Sequence, residues 1–180
     1  MKKAFIFLFS TFLLVGFSAC KKRGCTLDYA KNFDATAKRD NGKCEYYRKA
    51  EILGLKILNF PDSNSNGYAW DNVGYPDLYI RITNDSDAIK YASKTISEIK
   101  PNDTVSWSFP SYVTADSSEP FNEFKIYETD KISSAEIIEK FPINFLDFMH
   151  ESESGLEKYP DSVLYNGNYI EMKIYLNWID

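Results

Sequence analysis

Five carboxylates in this chain carry the spacing that a hard cation would use. Asp71 and Asp77 stand six residues apart in WDNVGYPDLYIRI (70–82), where Gly74 and Pro76 mark a turn that runs into an alternating strand pattern. About fifty residues later, FKIYETDKISSAEIIEKF places Glu128 and Asp130 two apart, with Glu136 six further on. Carboxylates at a strand end, joined by a third returning from the loop, converge on one point. Calcium suits such a point because it takes roughly six to eight oxygens in flexible geometry. Without a cation, two carboxylates at about 5 Å repel by ~3 kcal/mol at an effective dielectric near 20. Both segments also admit plainer roles. Asp is common in turns because it bonds its own backbone, and Ser133-x-x-Glu136 reads as a capping box opening a short helix through Ile137, Ile138 and Phe141.

The elements that must hold these residues are strands. From residue 51 onward apolar side chains recur with period two: Leu53, Leu55 and Ile57; Leu78, Ile80 and Ile82; Val105, Trp107 and Phe109; Phe124 and Ile126; Ile170, Met172, Ile174, Leu176 and Trp178. Alternation of this kind buries one face of each strand. PDSNSNG, NDSD, PND and YPDS with NGN supply the turns. Short strands at regular spacing predict an all-β, antiparallel β-sandwich over 51–180. A chain with 44% hydrophobic and 16% aromatic residues has the material to fill its core.

The N-terminus, MKKAFIFLFSTFLLVGFSAC, has two lysines, an apolar run and small residues before a cysteine, the pattern of an export signal. The run is shorter than the ~20 apolar residues of a spanning helix. Phe17-Ser18-Ala19-Cys20 resembles the lipobox of bacterial lipoproteins, with Phe17 where Leu is usual. The resemblance implies a signal peptide over 1–19, lipid on Cys20 and a linker over 20–24. It places the protein in the bacterial cell envelope, with the outer membrane as the expected site, anchored to a membrane by acyl chains. An ordinary cleaved signal that leaves Cys20 a free thiol is the alternative. Loss of 1–19 removes Lys2 and Lys3 from 21 basic residues, leaving 19 against 26 acidic ones and a net charge near −7.

With Cys20 lipidated, only Cys25 and Cys44 remain, in a compartment where disulfides persist, and a single bridge between them is expected. The segment 25–46 is similar to a short cysteine-bounded module of bacterial secreted proteins, through Gly24, Cys25, Thr26, Ala30, Asn32, Phe33, Ala37, Asp40, Gly42, Cys44 and Tyr46. About twenty residues cannot build a core alone, so a bridge would make the segment a compact spacer.

The first acidic loop, Asp71-x-x-Gly74-x-x-Asp77-x-Tyr79-Ile80, is similar to the first calcium loop of C2 domains, as in protein kinase C and the synaptotagmins. Tyr127-Glu128-Thr129-Asp130-x5-Glu136-Ile137-Ile138 resembles their third loop. The resemblance implies an eight-stranded sandwich and calcium held by Asp71, Asp77, Glu128, Asp130 and Glu136. It also implies docking on anionic lipid, with Tyr75 at a loop tip. Glu stands for the usual Asp at 128 and 136, Pro76 and Leu78 stand for Ser and Pro, and Glu139 stands for Gly.

Other functions follow less directly. Tyr68, Trp70 and Tyr75 could stack on sugar rings, so a glycan-binding or protein-binding sandwich without calcium is the competing expectation. Net acidity excludes a nucleic-acid partner held by general electrostatics. Catalysis is not expected. His150, the only histidine, sits beside Glu151 and Glu153 and reads as an exposed loop residue, and no free Cys or Ser-centred motif accompanies it.

Overall fold

The computed structural model describes residues 21–61, 63, 66–71, 74–84, 86–100, 102–118, 122–129, 135–150 and 159–180. The expected signal peptide and Cys20 lie outside them. By internal contacts the chain divides into two units, Met1–Tyr46 and Tyr47–Asp180.

In the first unit, β1 (Arg23–Gly24) pairs in parallel with β2 (Arg39–Asp40). Cys25 and Cys44 are disulfide-bonded, with their Cα atoms 5.0 Å apart. Such a short segment organises itself around the bridge and local polar contacts. Asn32 ties the two sides together, donating through Nδ2 to the Lys43 carbonyl at 2.8 Å and accepting the Glu45 N–H at 3.0 Å. Lys22 meets Asp34 at 2.7 Å. That ion pair, with the Thr36 hydroxyl and N–H, brings the Asp34 carboxyl from 3.8 to about 2.

The second unit is the antiparallel β-sandwich expected from the sequence. One sheet runs β10 (Ser162–Asn166), β11 (Glu171–Ile179), β3 (Lys49–Asn59), β6 (Val105–Ser108), with β7 (Thr114–Asp116) also on β3. The other runs β5 (Ile89–Ala92), β4 (Leu78–Asn84), β8 (Asn122–Glu128), β9 (Glu136–Ile143). Nine strand segments thus appear among the described residues of this unit where eight strands were expected, because β6 and β7 lie end to end along one edge of β3.

The inner faces are those that the alternation marked. Leu55, Ile57, Met172, Ile174 and Leu176 from one sheet meet Leu78, Ile80, Ile82, Phe124, Ile126 and Phe141 from the other in a single core. Rings cross that core in series: Phe109 lies 5.8 Å from Phe124, Phe124 5.0 Å from Phe141, and Phe141 4.3 Å from Tyr165. Each such pair adds ~1 kcal/mol beyond its buried area.

Two sequence expectations fail here. Leu53 was assigned to the buried face with Leu55 and Ile57, but it is 47% exposed. Tyr175 pairs with Gly54 and Leu176 with Ile52, so Leu53 is the extra residue of a β-bulge that reverses the phase of β3. Gly54 is required there, since a Cβ would stand 2.4 Å from the Trp107 carbonyl oxygen. The helix expected to open at Ser133 is instead strand β9 from Glu136. Its apolar residues pair with β8, and packing against Phe124 outweighs the capping signal. The short helix, α1 (Phe145–His150), comes after β9 and buries Phe145 and Phe148. His150 therefore ends a helix rather than sitting in a loop.

Candidate functional site

The acidic residues gather at the sandwich end where β4 begins, β8 ends and β9 begins. Register places them: Leu78 pairs with Glu128, and Glu128 pairs with Glu136. Directly opposed residues project to the same face, with Cβ atoms about 5 Å apart. Leu78 is fully buried, so Glu128 also points inward and is only 2% exposed, while Glu136 on the outer strand is exposed. Asp77 precedes Leu78, and its carbonyl accepts the Thr129 N–H at 3.0 Å. The backbone thus joins the first loop to the third.

The sequence did not show what holds the first loop. Leu78 and Ile96 exchange both backbone bonds at 2.8 Å, and the Ile99 N–H donates to the Pro76 carbonyl at 3.0 Å. Between them Glu98 adopts a left-handed φ of 57° and donates its N–H to Asp77 Oδ1 at 2.9 Å. Its own carboxylate accepts the Tyr75 N–H at 3.2 Å. A Cβ on Gly74, whose φ is 113°, would lie 3.1 Å from that carboxylate. Asp77 therefore braces a neighbouring segment with one oxygen, and Glu98 is a further acid at this end. Isolated between Ser97 and Ile99, Glu98 offered no spacing signal.

The remaining expected residues divide. Asp71 is half-buried and follows Trp70. Asp130 lies outside the described residues. Among the described residues, no group of three or more Asp, Glu, His or Cys side chains is placed to hold a metal ion. The cation fit is therefore partial: Glu128 and Glu136 are neighbours, with Asp77 beside them in the chain path. Tyr75 is 40% exposed, with the Lys100 ammonium 6.0 Å from its ring centre. Trp70, expected with Tyr68 and Tyr75 as a sugar-stacking surface, is instead buried, and its indole N–H donates to the Pro61 carbonyl at 2.9 Å. An indole anchored in the core has no face left for a ligand.

Next to the rim, on the outer face of the same sheet, Tyr79 pairs with Tyr127 and the two rings stack at 4.9 Å. The Arg81 guanidinium lies over both, 5.2 Å and 4.9 Å from their centres. Burial pushes the Tyr79 hydroxyl up, against the lowering effect of Arg81. Arg81, Lys125 and Lys140 form one cross-strand row. Lys125 is compensated by Asp87 at 2.5 Å and Glu123 at 3.2 Å, and Lys140 by Glu123 at 3.9 Å. The Asp87 contact raises the Lys125 ammonium and lowers the Asp87 carboxyl. No carboxylate pairs with Arg81 among the described residues, so it is the cation of this row open to an anion. Glu139 faces inward at an irregularity in β9, is 5% exposed and accepts the Tyr169 N–H at 2.9 Å.

No protein-family model matches the sequence. No curated protein matches it either. Among solved structures, a human GIVD cytosolic phospholipase A2 in complex with a fluorophosphonate inhibitor and terbium chloride is similar over 74% of this chain, at 12% identity and a TM-score of 0.43. This chain covers 18% of that protein's length. BON1-C2B is similar over 74% of this chain and 92% of its own length, at 9% identity and a TM-score of 0.40. The first C2 domain of a plant extended synaptotagmin 1 is similar over 74% of this chain and 97% of its own length, at 12% identity and a TM-score of 0.38.

Proposed function

We propose that this protein is an exported, lipid-anchored binding protein of the bacterial cell envelope, with Cys20 as the lipidated residue and a C2-like sandwich as the binding module. The observation that carries the calcium part is the Glu128–Glu136 cross-strand pair, with one carboxylate drawn inside the sandwich end and Asp77 next to it. A like-charged pair in that position favours a cation between its members. Asp71, Asp77, Glu128, Asp130 and Glu136 would hold calcium, which supplies the charge that turns an acidic rim into a lipid-docking one. Arg81 beside the rim and exposed Tyr75 suit an anionic headgroup and its interface. The module binds and does not catalyse.

Calorimetry on the mature chain tests the metal. Calcium heat and a thermal shift at millimolar concentration are expected, and neither appearing removes the claim. The Asp77→Asn, Asp130→Asn variant should lose the shift. Asn keeps an amide oxygen to accept the Glu98 N–H, so the fold is retained. Sedimentation with anionic liposomes, with and without calcium, tests the lipid step. Incorporation of a palmitate analogue at Cys20 tests the anchor. Retention on a glycan array independent of calcium would favour the carbohydrate reading instead.

A further inference from the structure

The end of the sandwich away from the acidic rim, about 20 Å along β8, holds a second candidate site. A cavity of ≈ 240 Å³ opens there between the two sheets, lined among others by Ile82, Lys90, Tyr91, Tyr112, Thr114 and Asn122. Asn122 begins β8 and is 3% exposed. Its Nδ2 donates to the Thr114 carbonyl at a long 3.4 Å, and its Oδ1 has no hydrogen-bond partner among the described residues. A buried amide oxygen left in that state costs ~1–3 kcal/mol, which a donor entering the cavity would recover. Tyr112 stands at the mouth, 68% exposed, while Tyr91 is fixed edge-on against Phe109 at 5.2 Å.

These features select a chemistry. An apolar guest would leave the Asn122 oxygen unsatisfied, and a carboxylate or phosphate would meet it oxygen to oxygen. A ring bearing several hydroxyls supplies the donor, and its C–H face suits a tyrosine ring. The cavity is of a size for one such ring. We propose that this cleft binds a single neutral sugar ring, with a hydroxyl donated to Asn122 Oδ1 and the C–H face laid on Tyr112. The assignment stands apart from the calcium reading, since no rim residue takes part in it.

The test is a titration of the ¹⁵N-labelled mature chain, residues 20–180, with hexoses, N-acetylhexosamines and pentoses at millimolar concentration. Saturable shifts are expected for the Asn122 side-chain amide and for the backbone of residues 112–114, unchanged by calcium or a chelator. Tyr112→Ala removes an exposed ring and should weaken the sugar about tenfold while the melting temperature stays put. The proposal is overturned by the absence of saturable shifts with every sugar, by shifts centred on Tyr68 or Tyr75, or by undiminished affinity in Tyr112→Ala.

Discussion

Replacing Glu136 with Gln separates a calcium rim from a merely structural one by the sign of its effect. Glu136 is exposed and lies directly across from Glu128, which is 2% exposed. At about 5 Å and an effective dielectric near 20, two carboxylates repel by ~3 kcal/mol. Glu136 can swing into water, so about 1 kcal/mol of that survives in the metal-free fold. Glu136→Gln removes the repulsion and should raise the metal-free melting temperature by roughly 3–5 °C for a domain of this size. Calcium at a hundredfold excess over its dissociation constant would stabilise the wild type by ~2.7 kcal/mol, or about 10 °C. The variant lacks one ligand, so its calcium increment should fall by at least half. Scanning calorimetry in chelator and then in calcium reads both quantities on the same samples. A lower melting temperature in chelator, together with equal calcium increments in the two proteins, would refute the reasoning.

Other perturbations probe the frame that carries the rim. Gly54→Ala places a methyl 2.4 Å from the Trp107 carbonyl oxygen; a loss of roughly 1–3 kcal/mol is expected in urea unfolding, with the slope unchanged. Cys44→Ser opens a loop whose ends are 19 residues apart. It should remove about 3 kcal/mol from the N-terminal unit, seen as rapid proteolytic cleavage within residues 25–44. Acid should destabilise the sandwich through Asp116, which Ser118 and Lys49 lower from 3.8 to about 2. A depressed folded value means that this contribution is complete above the unfolded value and is lost as pH falls from about 4 to about 2. In Asp116→Asn the fall in melting temperature across that window should be shallower.

The alternating apolar positions made most of the sandwich legible because each inward residue is satisfied by burial alone. Leu78, Ile80, Ile82, Met172, Ile174 and Leu176 all face the core as their period requires. The pattern misled where a single backbone event intervened. One extra residue at Leu53 reverses the phase of β3, and period counting carries no sign of it except the glycine that follows. The capping signal at Ser133-x-x-Glu136 was local, whereas the pairing of β9 with β8 is a tertiary interaction that no window of sequence contains. Trp70 misled for a related reason, since an aromatic ring looks the same in sequence whether it faces a ligand or donates to Pro61.

The rim was legible as spacing but not as support. The intervals among Asp71, Asp77, Glu128 and Glu136 name the strand ends, and register then makes Glu128 and Glu136 neighbours. Glu98 reaches the same end from a connection between strands, through a left-handed backbone and a contact with Asp77, neither of which leaves a motif. Its presence changes what Asp77 can do. With Oδ1 committed to the Glu98 N–H, Asp77 has one oxygen left for a ligand, so any cation at this rim must draw more of its coordination from the longer Glu128 and Glu136 side chains. Glu at those two positions is then the replacement expected of a rim whose first loop is braced from the side, because an extra methylene lets each carboxylate reach toward an aspartate that is held in place.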